Sequence, residues 1–98
     1  MFHSGKYSNN LSLTDYSVLL SQRLSQLRAE AHLSQEAVAK RAKISTYTYL
    51  KFEKGESKPG TPMNPNLATL ISIAKVFDIS VWKLLKFDDG ESNIKKAE

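Results

Sequence analysis

Apolar side chains recur along this chain at helical rather than strand spacing, and small polar residues fall where helices begin. Leu20, Leu24, Leu27 and Ala31 follow one another at intervals of four, three and four, which places them on one face of a helix with 3.6 residues per turn. Gln22, Ser25, Gln26 and Glu30 occupy the opposite side. Thr14 is the expected N-cap of this first helix, and His32-Leu33 its end. Ser34 then opens a second helix over residues 35–42, with Glu36 in its first turn at the positive end of the helix dipole. Its inner positions, Val38, Ala39 and Ala42, are small, so another helix can cross it closely.

A third helix is expected after Lys43-Ile44, capped by Ser45 and stopped by Gly55, which accepts a left-handed backbone without steric cost. Here the local signals conflict. Thr46-Tyr47-Thr48-Tyr49-Leu50-Lys51-Phe52 is β-branched and aromatic, and on propensity alone favours a strand. Ile44, Tyr49 and Phe52, at spacings of five and three, fit one buried side of a helix, and the caps at both ends agree with that. Residues 56–65 contain all three prolines and read as a loop. Asn66 opens a fourth helix, with Leu67, Leu70, Ile71, Ala74 and Phe77 as its core-facing stripe. After a break at Asp78-Ile79, Ser80 opens a short fifth helix running from Val81 to about Lys86. The expected fold class is therefore all-α, five helices and no sheet. Residues 1–13 form a polar N-terminal arm whose Phe2, Tyr7, Leu11 and Leu13 can pack on the domain or on a partner. Residues 14–87 form the domain and residues 88–98 a charged tail.

Composition narrows the function class. Ninety-eight residues suit one domain. The absence of cysteine excludes a disulfide framework and thiolate metal ligands, and suits a cytoplasmic protein. The opening MFHSGKYSNN lacks the apolar segment of a secretory signal, and no apolar run approaches the roughly 20 residues of a membrane helix. Net charge is +4, and it is unevenly placed: +1 over residues 1–33, +4 over 34–77 and −1 over 78–98. A basic segment beside a near-neutral remainder is what a nucleic-acid binder requires, although a solvated lysine-rich face has the same composition. Enzyme chemistry finds little support. His3 lies in the arm and His32 at a helix end, neither within a metal-spaced cluster, and no glycine-rich phosphate loop is present. Asp88, Asp89 and Glu91 belong to the charged tail. The expectation is a non-enzyme with no metal and no cofactor.

Several pieces, taken in order, carry a family resemblance: Leu27-Arg28, Leu33-Ser34-Gln35, Val38-Ala39, Ile44-Ser45, Phe52-Glu53-x-Gly55, Pro59, and the run Leu70, Ala74, Phe77, Ile79-Ser80, Leu84-Leu85. From Leu20 to Leu85 the chain resembles the lambda-repressor-like (Cro/Xre) helix-turn-helix family of DNA-binding regulators. The resemblance implies a five-helix lambda-repressor-like domain with the motif at helices two and three. Ala39 would sit at their crossing, Val38, Ile44, Tyr49 and Phe52 in the core, and Arg28 and Glu53 in a salt bridge joining helix one to helix three. It implies that helix three, Thr46 to Lys54, enters the major groove of double-stranded DNA, and that Gln35 contacts phosphate.

On that frame, Thr46, Tyr47, Leu50 and Lys51 face base edges, while Gln35, Ser45, Thr48, Lys43, Lys54 and Lys58 face phosphates. None of the base-facing residues is Arg, Asn or Gln, the side chains that grip a purine edge with two hydrogen bonds. Lys51 can contact guanine, and Tyr47 and Leu50 can press on thymine methyls. Three positions depart from the pattern. Lys43 stands where glycine is usual, at a cost on the order of 1 kcal/mol if left-handed, which invites a remodelled turn. The loop at residues 59–66 is about six residues longer than usual, a cheap change thermodynamically. Trp82 replaces a polar residue. Relatives bind palindromic operators as two-fold dimers, so Trp82, with Phe87 or the arm, is a candidate homodimer contact; the other reading folds Trp82 back onto helix one. The expected function is a sequence-specific transcriptional regulator, a repressor in the first instance. The alternative is an antitoxin, or another interaction module, whose main partner is a protein such as a toxin.

Overall fold

A computed structural model describes residues 10–87, and every helix in it starts where a small polar side chain takes up a free backbone N–H. Ser12, Ser34, Ser45, Asn66 and Ser80 accept from the N–H groups of Asp15, Ala37, Thr48, Thr69 and Lys83 respectively. Such a cap is worth about 1 kcal/mol. The helices are α1 (Leu13–Glu30), α2 (Gln35–Ala42), α3 (Thr46–Lys54), α4 (Leu67–Val76) and α5 (Val81–Leu84). The first differs from expectation. Ser12, not Thr14, is the cap, because Asp15 completes a reciprocal box: its N–H donates to Ser12 Oγ at 3.1 Å and its carboxylate accepts from the Ser12 N–H at 2.9 Å. The helix therefore begins inside the segment assigned to the arm. Phe2 and Tyr7 of that arm lie outside the described residues.

Helix ends repeat one device. His32, Lys43 and Asp78 follow α1, α2 and α4 in the left-handed region, at φ 56°, 63° and 57°. In each case the next N–H reaches back to a carbonyl five residues earlier: Leu33 to Arg28 at 3.2 Å, Ile44 to Ala39 at 3.0 Å and Ile79 to Ala74 at 3.1 Å. Leu33, Ile44 and Ile79 all pack against the core, which is the apolar contact that accompanies this terminator. Lys43 thus takes the left-handed backbone, and the turn between α2 and α3 is not remodelled.

Residues 56–65 are not a plain loop. Glu56–Lys58 (β1) pairs antiparallel with Thr61–Pro62 (β2), with an irregular register, around a turn at Pro59-Gly60. The five-helix architecture stands with this small hairpin added to it.

One core lies among the helices: Leu20 and Leu24 of α1, Val38, Ala39 and Ala42 of α2, Tyr49 and Phe52 of α3, Met63 after the hairpin, Ile73 and Ala74 of α4, and Leu84 of α5. Tyr49, Val38 and Ala39 are fully buried, so tertiary packing decides α3 against its strand propensity. On α4 the buried stripe is Leu70, Ile73, Ala74 and Phe77 rather than one including Ile71. Leu67 and Ile71 are exposed, Ile71 because it lies off the stripe formed by positions 70, 73, 74 and 77. Arg23 of α1 ties down α5, donating from Nη2 to the Lys83 carbonyl at 3.2 Å.

Candidate nucleic-acid interface

The inner side of α3 is fastened to both preceding helices through one carboxylate. Glu53 Oε2 accepts from Arg28 Nε at 2.6 Å and from the Tyr49 hydroxyl, while Oε1 accepts from Arg28 Nη2 at 3.1 Å, Gln35 Nε2 at 3.1 Å and Ser25 Oγ at 3.2 Å. The Glu53 side chain is 5% exposed and that of Arg28 25%. A charge this enclosed is tolerable because its lone pairs are filled and its partner is bidentate. Burial pushes the Glu53 carboxyl up, but the hydrogen bonds from Arg28, Tyr49 and Gln35, with the Arg28 charge, outweigh it and hold the carboxyl below its usual range. Burial and the Glu53 contact together push the Tyr49 phenol well above its ordinary value, so it stays a donor. Arg28 Nη1 also donates to the Leu33 carbonyl at 3.0 Å, holding the chain as it enters α2.

Two consequences follow for the outer side of α3. The acidic residue of this helix is turned inward and neutralised, leaving Tyr47, Leu50, Lys51 and Lys54 as an uncharged-to-cationic surface. Because the inner side is locked, that surface is presented in one orientation. Tyr47 is 68% and Leu50 41% exposed. Lys51 Nζ lies 4.3 Å from the centroid of the Tyr47 ring, one helical turn away. At an exposed site this cation–π contact contributes about 0.5–1 kcal/mol, enough to favour one pose of the pair.

Other residues assigned to the interface are placed as follows. Thr46 is half-buried at the start of α3. The Ser45 hydroxyl caps α3 and donates to Thr48 Oγ1 at 2.9 Å, so these two hydroxyls engage each other. Gln35 is at the N-terminus of α2, half-buried, with its amide on Glu53 rather than free in solvent. Lys43 is exposed on the turn and Lys58 on the hairpin, and both flank α3 in sequence. Trp82 is 72% exposed and does not fold onto α1 as core. Phe87 goes the other way. It packs against the core, its ring 6.1 Å from that of Tyr16, so the two aromatic residues do not form one outward surface.

Residues 21–86 match a family model for the helix-turn-helix domain. The chain belongs to the helix-turn-helix family. The cryptic phage CTXphi transcriptional repressor RstR of Vibrio cholerae is 33% identical to it over 76 residues, 78% of this chain and 61% of that protein. The chain thus spans less than two thirds of that repressor. An uncharacterised helix-turn-helix-type transcriptional regulator of Archaeoglobus fulgidus is 32% identical over 69 residues, covering 70% of this chain and 89% of that protein. Among solved structures, SinR, a master regulator of biofilm formation, in complex with DNA is similar at a TM-score of 0.58 and 27% identity, over 68% of this chain and 98% of that one.

Within this helix-turn-helix domain, α2 and α3 are the motif, and Lys43-Ile44 is its turn. The family resemblance pairs Arg28 with Glu53; Ser25, the Tyr49 hydroxyl and Gln35 join that network in the structure without being part of that expectation. Tyr49 and Glu53 stand four residues apart on one helix, a spacing that brings side chains together, so that contact was available from the sequence. The apolar stripe puts Ser25 on the opposite, solvent side of α1. It sits instead at the margin of the stripe, three residues before Arg28 and on the same edge. Among the described residues no group of three or more His, Cys, Asp or Glu side chains could hold a metal ion, and no helix is long and apolar enough to cross a membrane.

Proposed function

We propose that this protein is a transcriptional repressor of the cytoplasm that works by occupying duplex DNA, without catalysing a reaction. The observation that carries the reading is the split character of α3. Its inner side is bound by four hydrogen bonds that α1 and α2 donate to Glu53, with a fifth from Tyr49 of α3 itself, and its outer side offers an exposed aromatic, an aliphatic and two lysines. A rigid helix of this width fits the major groove. Thr46, Tyr47, Leu50 and Lys51 then meet base edges, with Lys51 toward guanine and Tyr47 and Leu50 toward thymine methyls. Lys43, Lys54 and Lys58 meet phosphates. Gln35 retains a second amide hydrogen beyond the one given to Glu53, so its amide can bridge the carboxylate to a phosphate, beside the free N–H groups of the α2 N-terminus. Ser45 and Thr48, already joined to each other, add hydroxyl contacts at the same edge. The likeness to SinR, whose structure holds DNA, supports the pose.

The reading is tested by fluorescence-anisotropy titration of labelled duplex DNA at several salt concentrations. With six or more phosphates engaged, affinity falls by at least about 10³-fold between 50 and 200 mM salt. Salt-insensitive binding, or none at low salt, overturns the reading. We further infer a homodimer on a palindromic operator, with half-sites about 34 Å apart and the exposed Trp82 in the contact. Exposed tryptophan is enriched at interfaces. Sedimentation equilibrium of wild type and Trp82→Ala checks this: the mass of a dimer becomes that of a monomer, and an unchanged mass removes Trp82 from the interface.

A further inference from the structure

The hairpin beside α3 is a rooted projection. At its base, Met63 is 2% exposed; its N–H donates to the Gly55 carbonyl at 3.3 Å, and its own carbonyl accepts from Ser17 Oγ of α1 at 2.8 Å. Gly55, at φ 84°, lies against α1, where an added Cβ would be 3.5 Å from Ser21 Oγ. Both ends of the hairpin are thus fixed on the helix that carries Arg28. At the far end Ser57, Lys58, Pro59 and Gly60 are exposed, and nothing approaches within 4 Å of a Cβ built on Gly60. Core packing gives no reason for these residues to stand there.

Between this projection and α3 runs a cleft of about 420 Å³, walled by Tyr47, Leu50, Lys51 and Lys54 on the helix side and by Glu56, Ser57, Lys58 and Pro59 on the hairpin side. Three cations face one carboxylate. That carboxylate is also engaged, since Glu56 Oε2 accepts from the Gly60 N–H at 3.3 Å and braces the tip. With lysines around an apolar surface of Tyr47, Leu50 and Pro59, the walls complement a ribbon-like occupant that is both anionic and partly apolar, as a sugar–phosphate strand is.

We propose that the cleft seats one sugar–phosphate strand of the bound duplex, with Lys54 and Lys58 on opposite sides of it and the Pro59-Gly60 tip passing over the strand toward the adjoining minor groove. This rests on α3 occupying the major groove. That groove is about 12 Å wide, and a helix with its side chains is about 10–12 Å across. No room is left beside the helix for a second element, so a projection alongside it must straddle the strand that borders the groove. The hairpin then makes each half-site contact a clamp on that strand rather than a single inserted helix.

The test measures binding to the protein's own selected site by wild type, Lys58→Ala, Lys58→Arg and a Lys51→Ala control, together with phosphate-ethylation interference. Lys58 is exposed and bears no structural contact that its loss would break. The expected result is a salt slope shallower by about 0.9 per half-site for Lys58→Ala, loss of interference at phosphates on the one strand flanking the helix contact, and recovery of both in Lys58→Arg. If wild type binds with a steep salt slope but Lys58→Ala keeps the full slope and interference pattern, the strand clamp is overturned and the major-groove reading stands. If wild type shows no salt-steep duplex binding, the parent reading fails first.

Discussion

Removing Arg28 should destabilise this domain more than removing Glu53, although the two form one ion pair. The asymmetry follows from burial: the Glu53 side chain is 5% exposed and that of Arg28 25%. In Arg28→Ala the carboxylate keeps its donors from Ser25, Gln35 and Tyr49 but loses its cation, and an uncompensated buried charge costs about 3–5 kcal/mol. In Glu53→Ala the guanidinium still donates to the Leu33 carbonyl and can take up water. The loss there is dominated by the stranded hydroxyl of the fully buried Tyr49, about 1–3 kcal/mol, plus part of the pair energy. For a two-state domain of under 100 residues, 1 kcal/mol moves Tm by about 4–8 °C, so Arg28→Ala should lower Tm by at least about 12 °C and Glu53→Ala by less. Thermal melts followed by circular dichroism at pH 7 give the Tm of both variants, and urea titrations their free-energy cost. A cost below about 1 kcal/mol for Arg28→Ala, the worth of a solvated surface pair, would refute the claim that this network fastens α3.

Further outcomes follow from other contacts. Glu53 has a carboxyl held below its ordinary value of 4.5, so the unfolded chain binds a proton more readily; its contribution is complete above about pH 4.5 and fades as pH falls through the lowered value. Glu53→Gln should therefore flatten the stability-versus-pH profile in that acid window, and an unaltered profile there would rule out the linkage. Ala39 is fully buried in the core on α2, and Ala39→Leu should cost at least about 1–3 kcal/mol by overpacking, seen as an early urea midpoint. Lys43→Gly should leave the fold intact and raise stability by up to about 1 kcal/mol by relieving the left-handed backbone at φ 63°; a marked fall would mean that the lysine side chain contributes to folding.

Much of the fold is legible in the chain because its helix boundaries are local chemistry. Ser34, Ser45, Asn66 and Ser80 cap the helices they precede, and Gly55 ends α3 in the left-handed region. The departures have physical sources. Ser12 outranks Thr14 as a cap through Asp15, a reciprocal signal present in the sequence and passed over. The stripe of α4 runs through Ile73 rather than Ile71, since α4 is apolar on more than one side and positions 70, 73, 74 and 77 are the face that meets its neighbours. The hairpin has strands of three and two residues, too short to show alternation. Its Pro59-Gly60 tip is a local turn signal, with Gly60 at φ 81°, but the anchoring of its base at Met63 and Gly55 is tertiary. The network around Glu53 is half visible: the Arg28 pairing comes from resemblance and the Tyr49 contact from its spacing of four on one helix, whereas the Ser25 and Gln35 donors depend on how three helices converge.

If the outer face of α3 reads duplex DNA through the major groove, selection of bound sequences from random duplex DNA, followed by guanine N7 methylation interference on the enriched site, will show it. The expected site is palindromic with half-sites about one helical turn apart, with interference at major-groove guanines within each half-site and loss of that interference in Lys51→Ala. Failure to enrich any sequence, or an enriched site insensitive to N7 methylation and to Lys51→Ala, would contradict that reading.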